Sequence, residues 1–226
     1  MTRQLIFDLG HRTALGRADF LVSGSNAAAV EWVDRWPDWP LRAFVIWGPA
    51  ASGKTHLGQV WCAISGAETV TVETVLSEDA ATLRARNACL FVDDAHQLAG
   101  DREREEALLH LYNYMLETEG TLLLAAAQAP SFWQVDLADL SSRIKAMPGV
   151  GIAEPDDSLL GALLVKQFVD RQLRVGEDVV TYLVPRMERS FAAVSQIVAA
   201  IDASALEQSR PITVPLVRGV LAELGG

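Results

Sequence analysis

Eight consecutive residues, Gly48-Pro49-Ala50-Ala51-Ser52-Gly53-Lys54-Thr55, have the glycine, lysine and hydroxyl spacing of a phosphate-binding loop. In such a loop the glycines let backbone N–H groups approach a β-phosphate, and the following helix adds partial positive charge at its N-terminus. Lys54 would neutralise the β- and γ-phosphates, and the Thr55 hydroxyl would be a ligand for Mg²⁺. The alternative is a glycine-rich turn that arose by chance. An apolar run before the loop and a helical pattern after it favour the phosphate loop, with His56 as a further candidate nucleotide contact.

Two adjacent carboxylates, Asp93 and Asp94, follow the most apolar segment of the chain, Ala88-Cys89-Leu90-Phe91-Val92. A carboxylate at the C-terminal end of a strand in a parallel sheet lies at the crevice where ligands bind. We therefore predict that Asp93 holds Mg²⁺ through its water shell and that Asp94 orients or activates the attacking water. The alternative is that these acids cap the turn that begins at Ala95.

Short apolar runs alternate with helical patterns in the first two thirds of the chain. We predict strands at 43–47, 68–72, 87–93 and 121–127, and helices at 54–65 and 105–117, with an earlier helix after Ser25-Asn26 that ends before a Trp- and Pro-rich loop at 36–40. Near-continuous apolar strands separated by helices are typical of an α/β protein whose parallel sheet is covered by helices on both faces.

After Pro155 the pattern becomes helical. Apolar residues recur at helical spacing from Leu160 to Phe168 and again from Val194 to Ile201. Thr213 and Pro215 begin a last helix. We therefore predict three parts: a flexible tail at 1–18, an α/β nucleotide-binding core at 19–155 and a small all-helical lid at 156–226.

Composition excludes some classes of function. The 226-residue chain carries a formal net charge of −10, which disfavours generic electrostatic binding to nucleic acid unless a local basic patch overrides the average. We also expect no direct, sequence-specific DNA binding. Cys62 and Cys89 lie far apart in apolar segments and are expected to be buried, reduced thiols. No signal segment opens the sequence and no apolar run is long enough to span a bilayer, so we expect a cytoplasmic protein without a membrane partner.

Taken with the segments around them, these motifs resemble the DnaA-type replication initiators and, more closely, the Hda family of regulatory inactivators of DnaA. The segments that carry the resemblance are Phe20-Leu21-Val22-Ser23-Gly24-Ser25-Asn26, the phosphate loop, Phe91 to Gly100, Leu109-His110-Leu111-Tyr112-Asn113, Asp139 to Ile144 and Glu188-Arg189. They extend over about residues 20–224. The loop at 36–40 and the run at 11–16 look like the alphaproteobacterial, HdaA-like branch.

The resemblance implies a AAA+ P-loop NTPase fold that binds ATP or ADP with Mg²⁺. It implies that Leu21, Val22 and Asn26 wall the adenine, because they stand in the family's adenine segment. Arg143 stands in the arginine-finger box, and Arg189 lies where the sensor arginine of the lid begins its helix. From spacing alone, either arginine could equally be a solvated surface residue.

The N-terminal hexapeptide Gln4-Leu5-Ile6-Phe7-Asp8-Leu9 resembles the peptide by which Hda proteins and polymerases bind the β sliding clamp. A glutamine followed by spaced apolar side chains suits a polar anchor and a hydrophobic pocket, which implies clamp contacts from Gln4, Leu5, Phe7 and Leu9. The alternative is a disordered tail with an apolar cluster.

Because the sequence stops after the lid, we expect it to lack an initiator's helix-turn-helix domain.

The chain departs from the initiators at Ala125-Ala126-Ala127-Gln128. Initiators carry a polar residue there that senses the γ-phosphate, and without it orienting the attacking water is harder. We therefore expect a weak ATPase at most, although Asp94 and Arg143 remain candidate catalytic residues.

The resemblance implies a regulatory adaptor that docks on the sliding clamp and promotes ATP hydrolysis by DnaA, which restrains re-initiation. A homo-oligomer is possible. The alternatives are an autonomous AAA+ ATPase such as a helicase loader or protein remodeller, a DNA-binding fragment of an initiator, and a structural protein that does not use nucleotide.

Overall fold

The computed structural model describes residues 21–208 and 210–224. They divide into two compact units. Residues 26–153 form an α/β unit, and residues 21–25 belong with the residues from Glu154 onward in a helical unit.

The α/β unit alternates strands and helices along the chain. Its strands are β1 (Ala43–Trp47), β2 (Glu68–Val70), β3 (Cys89–Val92), β4 (Thr121–Ala126) and β5 (Gly149–Gly151). Its helices are α1 (Ala27–Asp34), α2 (Lys54–Ser65), α3 (Val72–Ser77), α4 (Ala80–Arg86), α5 (Arg102–Glu117) and α6 (Ala138–Ala146), with 3₁₀ turns at Ala95–Leu98 and Pro130–Phe132. The predicted bounds of β1 and α2 are confirmed.

The five strands form one sheet in the order β2-β3-β4-β1-β5, and every neighbouring pair is parallel. Side chains alternate between its two faces. Leu90 and Val92 of β3 belong to the buried cluster that includes the apolar face of α5. Phe91, between them, packs against α2 at Gly58. Helices therefore cover both faces of the sheet, as predicted.

An aromatic cluster joins α1, β1 and α2. The rings of Trp39 and Trp61 stack with centroids 5.6 Å apart, and Trp39 also lies 5.0 Å from Phe44 of β1. The indole N–H of Trp39 donates to the carbonyl oxygen of Trp32 at 2.8 Å. The loop at 36–40 thus helps to fix α2 on the sheet.

The structure corrects the predicted bounds of β2. The strand ends at Val70, because the Thr71 hydroxyl accepts the Thr74 N–H at 3.2 Å and starts α3. Val72 is therefore the first residue of a helix and not the end of a strand. Three helices and a strand were not predicted: α3, α4, α6 and β5.

Both cysteines are free thiols. Cys89, in β3, is buried, and Cys62, in α2, is partly buried. Burial raises the pKa of each thiol, which keeps it protonated and unreactive near neutral pH.

The second unit is all-helical, as predicted, and has its own core. Its helices are α7 (Asp157–Asp170), α8 (Glu177–Leu183), α9 (Phe191–Gln208) and α10 (Val214–Leu224), with a 3₁₀ turn at Val184–Arg186. Asp156 caps α7 by accepting the Leu159 N–H at 2.8 Å, and Ser190 caps α9 by accepting the Ala193 N–H at 3.0 Å. Across the described ranges, no helix has the length and apolar character needed to cross a membrane.

Candidate nucleotide-binding site

The predicted phosphate loop connects β1 to α2. Gly53 is the residue before α2 and has a φ of 97°, and Ala51 has a φ of 54°. These left-handed conformations turn the chain sharply between strand and helix. Because Gly53 has no side chain, it cannot cap the N–H groups of the first turn of α2. Those N–H groups are the donors that an anion would meet at a helix N-terminus.

Two glycines fix the position of this turn by close packing. A Cβ atom at Gly48 would lie 2.3 Å from the carbonyl oxygen of Ile152, beyond β5. A Cβ atom at Gly58 would lie 2.1 Å from Cζ of Phe91. Because Gly48 has no side chain, the loop can pass close to the segment after β5. Because Gly58 has none, α2 can lie directly on β3.

Lys54 is the first residue of α2 and is only 7% exposed. Its ammonium nitrogen donates to the carbonyl oxygen of Pro49 at 2.7 Å. Burial lowers the pKa of Lys54, and the carboxylates of Asp94 and Asp93 oppose that shift. The lysine and the two acids therefore act on one another electrostatically, as a shared phosphate–Mg²⁺ site requires.

The hydroxyl of Ser52 is buried in the loop. The residue is 2% exposed, and its Oγ has no hydrogen-bond partner among residues 21–208 and 210–224. A buried hydroxyl without a partner costs stability, so a ligand that supplies one fits this loop. The crest of the loop, at Pro49, Ala50 and Ala51, is exposed.

The acidic turn follows β3. Asp93 is partly buried, and one of its carboxylate oxygens accepts the Asp94 N–H at 3.0 Å. Asp94 is exposed and has a φ of 49°. It occupies the cap position of the next 3₁₀ turn, but its side chain makes no capping bond. Asp94 therefore has the position of a helix cap, as the alternative interpretation expects, but it does not make the hydrogen bond of one.

These residues fit Mg²⁺ when phosphate is also present. The described part of the chain contains no group of three or more His, Cys, Asp or Glu side chains that could hold a metal ion. Mg²⁺ commonly takes one or two protein oxygens together with phosphate oxygens and waters. Thr55, exposed in the first turn of α2, and Asp93 are the candidate protein ligands, and His56 is exposed beside Thr55.

The alanines that replace the polar residue of initiators lie at the C-terminal end of β4. Ala125 and Ala126 are buried, and Ala127 follows the strand. The Gln128 amide donates to the Phe132 carbonyl oxygen at 3.3 Å, within its own loop. His96, which is not among the predicted site residues, accepts the Ala127 N–H on Nδ1 at 3.3 Å. It connects the acidic turn to the end of β4.

Arg143 lies on α6 and is weakly held. Its Nη2 donates to Oδ2 of Asp139 at 3.4 Å, and its Nε lies 3.3 Å from Oδ1 without hydrogen-bond alignment. The guanidinium also sits 5.9 Å from the ring centroid of Tyr112 on α5. Its side chain is 38% exposed. Its donors can therefore turn to another anion at little cost.

The remaining candidate residues are divided between the two units. Asn26 is 2% exposed at the start of α1 in the α/β unit. Leu21 packs against the core of the helical unit, and Val22 belongs to the same unit.

Arg189 lies two residues before α9, whereas we predicted that it begins this helix. Its guanidinium donates to the Pro155 carbonyl oxygen at 3.3 Å and forms an ion pair with Asp157 at 2.5 Å. Gln4, Leu5, Phe7 and Leu9 lie outside the described residues.

The architecture is the AAA+ fold with an α-helical lid. Domain III of the Thermotoga maritima replication initiation protein DnaA superimposes with a TM-score of 0.78 over 90% of this chain and 94% of that chain, at 16% identity. AMPPCP-bound DnaA from Aquifex aeolicus superimposes with a TM-score of 0.69 over 83% of this chain, at 19% identity. The chain spans 65% of that DnaA chain, which is less than two thirds of its length.

Sequence comparison is more specific for the lid. Residues 157–221 match the family model described as "Hda, lid domain". A Haemophilus influenzae protein described only as uncharacterized is 27% identical over 186 residues, which are 79% of this chain and 80% of that protein. Residues 157–221 are thus similar to the lid of the Hda family, and the fold of the described residues is like that of DnaA domain III.

Proposed function

We propose that this protein is a nucleotide-dependent regulator of DnaA-type replication initiators. The observation that carries the nucleotide part is Lys54, a buried cation at the uncapped N-terminus of α2, under the electrostatic influence of Asp93 and Asp94. This arrangement suits the phosphates of ATP or ADP, with Mg²⁺ held by Thr55 and Asp93. The AMPPCP-bound DnaA of the same fold supports this proposal.

We further propose that this protein hydrolyses ATP weakly at most. Asp94 is available to orient a water, but residues 125–127 offer no side-chain donor at the end of β4, and the Gln128 amide bonds within its loop. A γ-phosphate and its attacking water would lack one of their usual hydrogen-bonding partners. The bound nucleotide then acts mainly as a structural ligand.

The proposed partners are a DnaA initiator and the β sliding clamp. The Hda-type lid supports the first partner, and the resemblance of residues 4–9 to clamp-binding peptides supports the second. Arg143, loosely paired and partly exposed, would reach the ATP of the initiator. An arginine supplied in trans to a transferring phosphoryl group is worth roughly 10³–10⁵ in rate.

The test mixes clamp loaded on DNA, ATP-bound initiator and each variant of this protein, and follows ADP formation. Arg143→Ala should remove stimulation while leaving this protein's own nucleotide affinity and clamp binding intact. Arg189→Ala should instead weaken this protein's own nucleotide binding, as expected of an arginine that contacts phosphates within its own chain. If Arg143→Ala stimulates the initiator as well as the unmodified protein, the proposal of a trans arginine is wrong.

The alternative function is an autonomous AAA+ ATPase, such as a helicase loader or protein remodeller. It predicts rapid ATP turnover without clamp or initiator, and turnover that depends on Asp94. Measuring steady-state hydrolysis by the protein alone, beside its Asp94→Asn variant, separates the two proposals.

A further inference from the structure

A carboxylate without any exposed surface lies on α5. Glu105 is 0% exposed. Its oxygens accept the backbone N–H groups of Gly100 at 2.9 Å, Asp136 at 3.0 Å and Leu137 at 2.8 Å. Charged acceptors form stronger hydrogen bonds than neutral ones, so these N–H groups compensate for the loss of water around the anion.

The three N–H groups come from two separate segments. Gly100 closes the turn that follows Asp93 and Asp94, and it has a φ of 83°. Asp136 and Leu137 end the loop after β4, and Leu137 is the residue immediately before α6. One carboxylate therefore fastens both the acidic turn and the start of α6 to α5.

A second contact joins the same two helices further along. Tyr112 is seven residues after Glu105, which puts both side chains on one face of α5. Tyr112 is 5% exposed, and the Arg143 guanidinium lies over its ring. Helix α5 thus holds the chain just before α6 through Glu105 and contacts Arg143 of α6 through Tyr112.

We propose that Glu105 is a positioning residue for Arg143: its buried carboxylate fixes the start of α6, and thereby the direction in which the arginine is presented to a partner's phosphate. The inference rests on the proposed role of Arg143. Misplacing a group in a reacting complex by about 1 Å costs on the order of 10²-fold in rate, so a loosened α6 would impair stimulation without removing the arginine.

Glu105→Gln is the informative substitution. A carboxylate accepts at both oxygens, whereas an amide has one accepting oxygen and an NH₂ group that cannot accept. The variant keeps the size of the side chain but sets a donor against a backbone donor. Glu106→Gln is the matched control, since Glu106 is the next residue, is exposed and pairs across the helix surface with Arg102 at 2.9 Å.

The first measurement does not depend on the initiator. Amide hydrogen exchange should be about tenfold faster at Asp136, Leu137 and through α6 in Glu105→Gln than in Glu106→Gln, because a stabilising charge-assisted bond is lost. Exchange in α2 should not change. Equal exchange in α6 for the two variants would overturn the positioning role.

The second measurement is a double-mutant cycle in the initiator assay. With nucleotide saturating, Glu105→Gln should reduce stimulation by about 10²-fold at unchanged clamp affinity. Combined with Arg143→Lys, which keeps the charge but loses the planar guanidinium and should leave a residual stimulation, it should cause much less than the product of the two single losses, because both changes act through the same side chain. Independent, multiplicative losses would overturn the inference. If the unmodified protein does not stimulate the initiator at all, the proposed function fails, whereas the exchange result stands separately.

Should Glu105→Gln fail to fold, Glu105→Asp keeps the anion and draws it back by about one bond length, about 1.5 Å. It should show the same faster exchange in α6 and the same dependence on Arg143. If a folded Glu105→Asp variant has the same amide exchange in α6 as the unmodified protein and stimulates the initiator equally well, the inference is wrong.

Discussion

The ammonium group of Lys54 donates a hydrogen bond of 2.7 Å to the carbonyl oxygen of Pro49, across the loop that the two residues share. This bond keeps the lysine folded back over the loop in which a phosphate would lie. One ammonium has three donors, so a phosphate can bind without breaking the bond to Pro49. The loop is therefore organised around its cation before any nucleotide arrives.

Lys54→Ala should remove stabilisation by nucleotide. A ligand present at 100 times its dissociation constant stabilises the native state by about 2.7 kcal/mol, and the variant should lose that increment. The ligand-free variant should melt near the unmodified protein, because a buried charge contributes little net stability. Calorimetric melting with and without ADP–Mg²⁺ checks this, with Lys166→Ala as a charge-matched control. An ADP-dependent rise in Tm that survives in Lys54→Ala would contradict the proposed site.

Gly58→Ala should destabilise the α/β unit. The added methyl would collide with Phe91, and overpacking of this kind costs about 1–3 kcal/mol despite the better helix propensity of alanine. Gly219→Ala is the control in a second helix, since a Cβ there meets no atom within 4 Å. It should stabilise the protein by up to about 1 kcal/mol. Urea unfolding of both variants measures the contrast, and equal effects of the same sign would show that α2 is not held against β3 as described.

The buried carboxylate predicts an acid-dependent loss of stability. Burial acts to raise the pKa of Glu105, but the N–H groups of Leu137, Asp136 and Gly100 outweigh it and leave the pKa below its usual value of 4.5. A carboxyl whose pKa is lower in the folded state stabilises the protein above the unfolded value and ceases to do so as pH falls through the folded value. The stability difference between the unmodified protein and Glu105→Gln, about 1.5–3 kcal/mol at pH 7, should shrink below about pH 4.5. Urea unfolding across that range measures it; a difference that stays constant with pH would mean that Glu105 is not an anion there.

The clamp contact is tested by replacing Leu5 and Phe7 together with alanine. If these side chains are buried anchors, the double variant should lose at least about 2 kcal/mol of clamp binding. Nucleotide-dependent melting should be unaffected, which separates a lost contact from a damaged fold. Surface plasmon resonance on immobilised clamp measures the affinity, with Gln4→Ala as the test of the polar anchor. Unchanged affinity in the double variant would leave residues 4–9 without a binding role.

The sequence predicted the elements with strong apolar periodicity and missed the weak ones. Strand β1 and helix α2 have the predicted bounds because the apolar run and the glycine loop leave little choice. Strand β5 is three residues, Gly149-Val150-Gly151, and pairs with β1 through the backbone, so it carries no apolar pattern. Helices α3 and α4 are short, although their caps at Thr71 and Asp79 are visible in the sequence.

The site shows the same division. The places of residues 48–55 between β1 and α2, and of Asp93 and Asp94 after β3, were predictable, because glycine, lysine and carboxylates at this spacing are typical of phosphate loops with this strand–loop–helix context. The supporting residues were not, since Glu105 and His96 act through backbone groups distant in sequence. One signal for Glu105 was present: with Leu108 and Tyr112 it follows the i, i+3, i+7 spacing of the apolar face of α5, where an acid is out of place.

The alanines at the end of β4 bear on how long a nucleotide stays in the site. Strand β4 lies between β1, which leads into the phosphate loop, and β3, which leads into Asp93. A core that binds nucleotide there but cleaves it slowly exchanges its ligand mainly by dissociation. Its loaded fraction would then follow the cellular ratio of ATP to ADP and the two affinities, and not the time elapsed since loading. Such a protein would respond to the energy state of the cell. In an initiator that hydrolyses its own ATP, the ATP-bound fraction depends instead on the time since ATP was bound.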